Sequence, residues 1–387
     1  MMILGIPKEI MQGEARVAAT PETVKKFIND GVQVLVEAGA GTGSHYYDEQ
    51  YAEAGAELVS DPKQLFARAD LILKVKEPLF NEKENRHEVD MMHNGQYLIT
   101  FIHPASPVNH EMVKKLAEAG VTSFTLDGIP RISRAQHMDA LTSMSTCAGY
   151  KGMVMAADDL SYFMPQMFTA VGMLKPANVL VIGAGVAGLQ ALATAKRLGA
   201  VTYAMDIRPA ASEQAKSLGA RVIEAGVPAE VAVGEGGYAK KLSEEWLVKE
   251  REELGKVLKD MDIVFLSALV PGKVAPILIT EEMVKEMKNG SVIVDVSIDQ
   301  GGNCAITPAG KKGVRHNVTI NGIKNIPGLI PTSSTWMFAQ NVYNLASYLV
   351  KEGRIILDMN DEIIRSILVT HNNGIIHEGT REAMGLL

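Results

Sequence analysis

The sequence predicts an α/β protein built from two doubly wound domains, the first discontinuous and completed by the C-terminal segment. Three observations predict it. The chain has 387 residues, too many for one ordinary domain and comfortable for two. Short β-rich runs alternate with helix-periodic runs twice over, from the N-terminus and again from Asn178, and such alternation argues for largely parallel sheets covered by helices. After the second series come one more helical stretch and a tail rich in turn residues, which are expected to pack back on the first domain.

In order, ILGIP, VQVLVEAG, LILKVKEP, QYLITFIHP and VTSFTLDG read as the first strands. PETVKKFIND, DPKQLFARA and NHEMVKKLAEAG lie between them with helical periodicity and glycine or proline stops. From Asp139 to about Tyr162 a Met- and Ala-rich stretch reads as one long linking helix. The second series has strands in NVLVIGA, AVTYAMDI, RVIEAG, DIVFLSAL, SVIVDVSID and VTINGIKN. AGVPAEVAVGEGGYAKK, from Ala225 to Lys241, is Gly-rich and irregular, and a loop of that length in a compact domain is usually functional or mobile. PTSSTWMFAQNVYNLASYLV is a helix expected to be capped by Thr or Ser, and the tail reads as short strands around an HNNG turn. The expected domains are residues 1–138 with 326–387, and 139–325 entered by the linking helix 139–162.

Composition narrows the function. The chain is 47% hydrophobic and 21% charged, ordinary for a globular protein. A net charge of −7 offers no basic footprint for nucleic acid or anionic lipid. Cys147 and Cys304 make no disulfide framework and fit a reducing cytosol. MMILGIPKE lacks the features of a signal peptide. PANVLVIGAGVAGLQALATA, between Lys175 and Lys196, carries no charge and has the length of a membrane span. Its glycines sit where a turn is needed, so strand, turn and helix is the better reading. No HExxH or other metal-ligand spacing is present, and no metal is expected.

That turn, GAGVAG, places Gly183, Gly185 and Gly188 in G-x-G-x-x-G spacing between a hydrophobic strand and a helix. This is the Rossmann dinucleotide fingerprint in its proper context. Gly183 allows the tight turn, Gly185 lets the backbone approach a pyrophosphate, and Gly188 lets helix and strand pack closely. The phosphates would meet the positive end of the helix dipole. Asp206 ends the next strand, 18 residues after Gly188. A carboxylate there accepts from the ribose 2′-OH and repels a 2′-phosphate, favouring NAD(H) over NADP(H). Arg208, two residues on, could tolerate a 2′-phosphate and is the lesser reading.

Two further sets of residues stand out. Arg16, Lys76 and His103 in the first domain and Asp299 in SIDQGG could clamp a carboxylate and provide an acid/base pair. Each has an ordinary alternative: a surface ion pair, a snorkelling edge lysine, a satisfied imidazole. The stretch RISRAQHMD, Arg131 to Asp139, is either a solvated turn before a helix or a clamp on a bound ligand.

These motifs together resemble the superfamily that joins alanine dehydrogenase to the NAD(H)-binding component of proton-translocating nicotinamide nucleotide transhydrogenase. GIPKE, RVAATP, LKVKEP, VIVD and GAGVAG are shared by both branches. PRISRAQHMDALTSMS, GAGVAGLQA, DIRPAA, GGYAK, LVPGKVAP and GGNC look like the transhydrogenase branch. The resemblance implies two Rossmann-like domains and hydride exchange between NAD(H) here and NADP(H) on a partner. Such transfer needs two rings placed face to face and no acid or base from the protein. The RISRAQHMD stretch would hold the nicotinamide end, with Arg131, Gln136 and Asp139 as its catalytic residues. Implied nucleotide contacts are Arg131, Ile132, Ser133 and Gln136; Gly183, Gly185, Val186 and Gly188; Asp206, Ile207 and Arg208; Gly237; Tyr238 of a loop that closes over nucleotide; and Leu269. Also implied are a homodimer, membrane-spanning partner subunits including an NADP(H)-binding beta subunit, and a cytoplasmic location, peripheral to the inner membrane through those partners. No hydrophobic span is expected after the tail that ends at Leu387. Arg16, Lys76, His103 and Asp299 together match the alanine dehydrogenase catalytic set. NAD-dependent alanine dehydrogenase is therefore the alternative, and an NAD-sensing module without chemistry a third reading.

Overall fold

The structure, a computed structural model, describes residues 2–234, 237–270 and 273–387. The chain forms two compact units, 1–144 with 328–387 and 145–327.

In the first unit, β1 (Ile3–Ile6), β2 (Gln33–Glu37), β3 (Glu57–Val59), β4 (Leu71–Leu73), β5 (Tyr97–Thr100) and β6 (Thr122–Thr125) pair in parallel. Several of them, such as LIL and VLV, are buried on both faces, as strands of a parallel sheet covered by helices must be. Crossover helices include α1 (Pro21–Asn29), α2 (Pro62–Arg68) and α3 (His110–Glu118). α1 starts where the sequence dictates. Thr20 caps it, Thr23 reciprocates, and Pro21 occupies the first turn, where no N–H is required.

A long helix, α4 (Ala140–Asp159), follows. It is shorter than the 139–162 expected. Asp139 stands outside as a cap, its Oδ1 accepting from Thr142 N at 2.8 Å. Past Asp159, Tyr162 Oη turns away to donate to Asn289 O at 2.6 Å. The division between units falls inside α4, not at its start.

The second unit contains β7 (Asn178–Ile182), α5 (Val186–Arg197), β8 (Val201–Met205), β9 (Arg221–Val222), α6 (Glu244–Leu258), β10 (Ile263–Leu266), β11 (Val292–Asp295), β12 (Lys312–Arg315) and β13 (Val318–Asn321). The sheet order is β9-β8-β7-β10-β11-β13-β12, with β12 alone antiparallel. The order reverses at β7, where a doubly wound sheet opens its ligand crevice. β12 is absent from the sequence reading because KGVR is largely exposed and lacks apolar alternation. Its pairing comes from β13, not from its own composition.

After the second unit the chain returns to the first. α7 (Pro331–Leu349) has no side-chain cap, contrary to expectation. Pro331 supplies the fixed φ at its start, and Ser334 Oγ donates back to Ile330 O at 3.0 Å. The helix packs through Phe338 against Phe101, centroids 5.8 Å apart, and through Tyr343 against Phe27 at 4.9 Å. The tail then adds β14 (Leu368–His371) beside β6 and β15 (Gly374–Ile375) at the edge, both antiparallel. The HNNG turn joins them, Asn372 and Asn373 at φ +49° and +59°. The first sheet therefore reads β15-β14-β6-β5-β4-β1-β2-β3: a discontinuous first domain closed by the C-terminal segment.

Candidate functional site

β7 runs into the glycine turn and α5 leaves it. Gly183 has φ +88°, and a Cβ there would stand 2.7 Å from Ala268 N. A Cβ on Gly188 would stand 2.0 Å from Gly183 O. At Gly185 only Arg208 Nη2, at 3.9 Å, is near. Two glycines thus pin the turn against β10 and α5, while the third leaves one side of the backbone open. Gly185 is also the N-cap of α5 and offers no side chain to its first N–H groups. The arrangement fits a dinucleotide diphosphate, and Val186 begins the helix that would meet it.

Asp206, at the end of β8, is almost wholly buried. Its Oδ2 accepts from Ala184 N at 2.8 Å and Arg208 Nη2 at 2.7 Å, and its Oδ1 from Arg208 N at 2.8 Å and Nε at 2.9 Å. The hydrogen bond to Asp206 holds the guanidinium pKa above its ordinary value. The two residues read separately from the sequence are one bidentate pair, and Ile207 between them packs on the core behind β8.

The polar stretch 131–139 separates into anchors and presented groups. Ala135 and Met138 are buried. Arg134 donates to Tyr348 Oη at 2.8 Å and Asp361 Oδ1 at 2.8 Å, and Tyr348 in turn donates to Asp361. His137 O accepts from Asn341 and Asn344 of α7 at 2.9 and 3.0 Å. Both carboxylate oxygens of Asp139 engage Thr142, so Asp139 fixes the start of α4. Arg131, Ser133 and Gln136 are exposed and Ile132 half-buried. The returning C-terminal segment thus braces a short turn of helix, Ser133–Met138, that projects Gln136.

At the carboxyl ends of β1, β4, β5 and β6 lies a second set of charges. Lys74, fully buried, donates to Glu88 Oε1 at 2.8 Å and Glu9 Oε2 at 3.3 Å. Burial opposes its charge, but the two carboxylates outweigh burial and hold its pKa above the usual lysine value. Burial pushes Glu9 up. Lys76, the candidate, is half-buried, its carbonyl accepting from Thr100 Oγ1 at 2.8 Å. Arg16 is buried in a bidentate pair with Glu14, Nε–Oε1 2.7 Å and Nη2–Oε2 2.6 Å. His103 sits at φ +48° with its ring stacked on Phe101. Its Nδ1 lies 2.7 Å from Asp127 Oδ1, and its N–H donates to Asp127 Oδ2 at 2.8 Å. Burial disfavours the imidazolium, but Asp127 prevails and raises the histidine pKa. Asp299, the fourth candidate of that set, is an exposed residue of the second unit, 4.0 Å from Lys324.

Asp127 and Lys74 are absent from the sequence reading. Both stand just past a strand's carboxyl end, which was the available signal. Tyr238 and Gly237 lie in a small loop closed by the Val233–Ala239 bridge, Gly234 N donating to Tyr238 O at 2.7 Å. Leu269 is exposed after β10. Gly236 of GGYAK, and Pro271 and Gly272 of LVPGKVAP, lie outside the described residues. Among the described residues no group of His, Cys, Asp or Glu is placed to hold a metal.

Comparison with known proteins covers nearly the whole chain. The family model described as alanine dehydrogenase/PNT, N-terminal domain, matches residues 5–148, and its C-terminal-domain counterpart matches residues 152–378. The chain is 42% identical over 382 residues to the first portion of the NAD(P) transhydrogenase alpha subunit of Rhodospirillum rubrum, covering 97% of this chain and 98% of that protein. It is 32% identical over 396 residues to alanine dehydrogenase of Bacillus subtilis, covering 99% and 95%. A solved transhydrogenase structure from Sinorhizobium meliloti matches with a TM-score of 0.84 at 38% identity, covering 97% of this chain and 100% of that one.

Proposed function

The chain belongs to the alanine dehydrogenase/PNT family, and we propose that it works as the NAD(H)-binding alpha subunit of an NAD(P) transhydrogenase. It would exchange hydride with NADP(H) held by a partner beta subunit, coupled to proton translocation. The observation that carries this reading is end-to-end identity with a transhydrogenase alpha subunit, ten points above that with an alanine dehydrogenase (42% against 32%). The braced stretch 131–139 supports it, because it projects polar side chains outward instead of enclosing a small substrate.

When bound, NADH supplies the hydride. The chain's own residues bind and orient. The glycine turn and the first N–H groups of α5 receive the diphosphate, Asp206 takes the adenosine ribose, and Arg131 and Gln136 hold the nicotinamide end toward the partner. Tyr238 and Gly237 would close over the nucleotide, with Leu269 as a further contact. Exchange between NADH and an NADP analogue, in a mixture with an NADP(H)-binding transhydrogenase domain, tests the reading directly.

Gln136 separates binding from transfer. Gln136→Asn is expected to keep the NADH Kd within a few-fold and slow exchange by about a hundredfold, the cost of roughly an ångström of misplacement. Stopped-flow exchange rates beside fluorescence titration check this, and an unchanged rate would reduce Gln136 to a solvated turn residue.

Asp206 sets cofactor choice. NADH is expected to bind at least about tenfold more tightly than NADPH, since a like-charge juxtaposition costs several kcal/mol. Calorimetric titration decides, and equal affinities would hand the position to Arg208.

The homodimer and the membrane partners belong to the same proposal. A hairpin, Met167–Thr169 paired with Gly172–Leu174, carries Phe168 at 76% and Val171 at 98% exposure. An apolar arm of this kind fits a second copy of the chain. Val171→Glu with Phe168→Glu should convert a dimer to monomers in sedimentation velocity; a monomeric parent chain would sink the assignment. No helix among the described residues is long and apolar enough to cross a membrane, so attachment would run through the partner subunits.

A further inference from the structure

Behind the Asp206–Arg208 pair lies a carboxyl group that nucleotide binding as described does not use. Glu250 is 4% exposed on α6, with Leu247 three residues before it and Leu254 four after, so the three share a face. Those leucines pack in the apolar cluster that holds Met205 and Ile207 at the end of β8. α6 therefore delivers Glu250 to the back of Asp206. Burial first, and the Asp206 charge second, push its pKa up to about 7, with Arg251 pulling the other way. Arg251, on the same helix, is committed to Glu244 Oε1 at 2.6 Å and Ile277 O at 2.9 Å. Arg208 is committed to Asp206. Glu224, in the adjoining stretch Ile223–Val227, is exposed, and Glu253 pairs with Lys256 at 2.6 Å.

The acceptor sites of Asp206 are filled. A carboxylate has about four lone-pair positions, and Ala184 N, Arg208 N, Nε and Nη2 occupy that many. A ribose diol donating to Asp206 must take positions now held by the Arg208 guanidinium. Once the guanidinium withdraws, the charge on Asp206 is less neutralised and a neighbouring carboxyl holds its proton more firmly.

We propose that Glu250 is the proton-linked partner of Asp206, taking up a proton as nucleotide binds, so that NAD(H) affinity falls as pH rises through neutrality. The inference rests on the NAD(H) reading of the glycine turn and Asp206. Its sign follows from linkage. A group that holds its proton more firmly in the complex adds affinity that is full below its free-state titration and lost as pH rises through its bound-state one.

The experiment is NADH titration of the full chain from pH 6 to 8.5, with Glu250→Gln alongside. The parent Kd is expected to weaken by at least about fivefold over that range, somewhat under one pK unit of coupling, and Glu250→Gln to stay flat. Should the variant fold poorly, calorimetry of the parent in two buffers of different ionisation enthalpy near pH 7.5 reads proton uptake without any substitution. A flat parent profile, absent uptake, or an unchanged profile in Glu250→Gln overturns the inference and leaves the cofactor reading standing. Absence of NADH binding at every pH overturns both.

Discussion

Gly188→Ala is expected to abolish measurable NADH binding while the first unit stays folded. The added Cβ would lie 2.0 Å from Gly183 O and 3.0 Å from its carbonyl carbon. Those are backbone atoms of the phosphate turn, which cannot swing aside as the end of a lysine could. Either α5 retreats from β7 or the turn opens, and both move the N–H groups at Gly185 away from where a diphosphate would meet them. Overpacking of this kind costs about 1–3 kcal/mol of stability. Displacing the turn by roughly an ångström costs on the order of a hundredfold or more in function. Fluorescence titration with NADH measures the loss, and circular dichroism shows whether the fold persists. Gly185→Ala is the control, because its Cβ meets only Arg208 Nη2, at 3.9 Å. It should fold with unperturbed stability and weaken binding only through crowding of the ligand side. Native affinity in Gly188→Ala would remove the glycine turn from the cofactor site.

How much of this was legible can be judged residue by residue. The glycine spacing carried its structural meaning because each glycine answers a local steric demand, and such demands are written in three or four consecutive positions. The second sheet was likewise readable from buried runs such as NVLVI and IVFL, where fully burying one aliphatic side chain contributes about 1.5–3 kcal/mol and overrides local propensity. What was not legible were pairings across the fold. Nothing in the sequence singles out Asp127; the parallel register of β5 and β6 puts it beside His103. Lys76 stands out in the sequence and Lys74 does not, although two positions along the chain separate a half-buried lysine from one enclosed by Glu9 and Glu88. Asp206 and Arg208 read as rival determinants of cofactor choice, and the structure makes them one ion pair. In the stretch 131–139 the chemistry was visible but not its division of labour. Which polar residues brace and which are presented depends on α7 and on Asp361, more than 200 residues downstream.

The isolated chain is expected to oxidise NADH negligibly with pyruvate and ammonium, and to exchange hydride readily once an NADP(H)-binding transhydrogenase domain is added. The rival activity requires Arg16 to grip a carboxylate and His103 to shuttle a proton. Arg16 is 3% exposed and already held by both oxygens of Glu14, so a substrate carboxylate would have to compete with a buried bidentate pair, whose disruption costs about 3–5 kcal/mol. His103 is fastened to Asp127 by its Nδ1 and its backbone N–H. The raised imidazole pKa means it carries a proton to higher pH than a free histidine, which makes it a better acid than base near neutrality. The exchange reaction needs no acid or base from the chain, and Gln136 stands exposed on a braced turn. The difference between the two assays should therefore exceed about a hundredfold, the scale on which a positioning failure acts. Both are read as absorbance change at equal chain concentration. Robust alanine-dependent NAD reduction by the chain alone, lost in His103→Ala and weakened in Asp127→Asn, would reverse the assignment. The stretch 131–139 would then be an outer elaboration of a dehydrogenase whose carboxylate clamp opens by releasing Glu14.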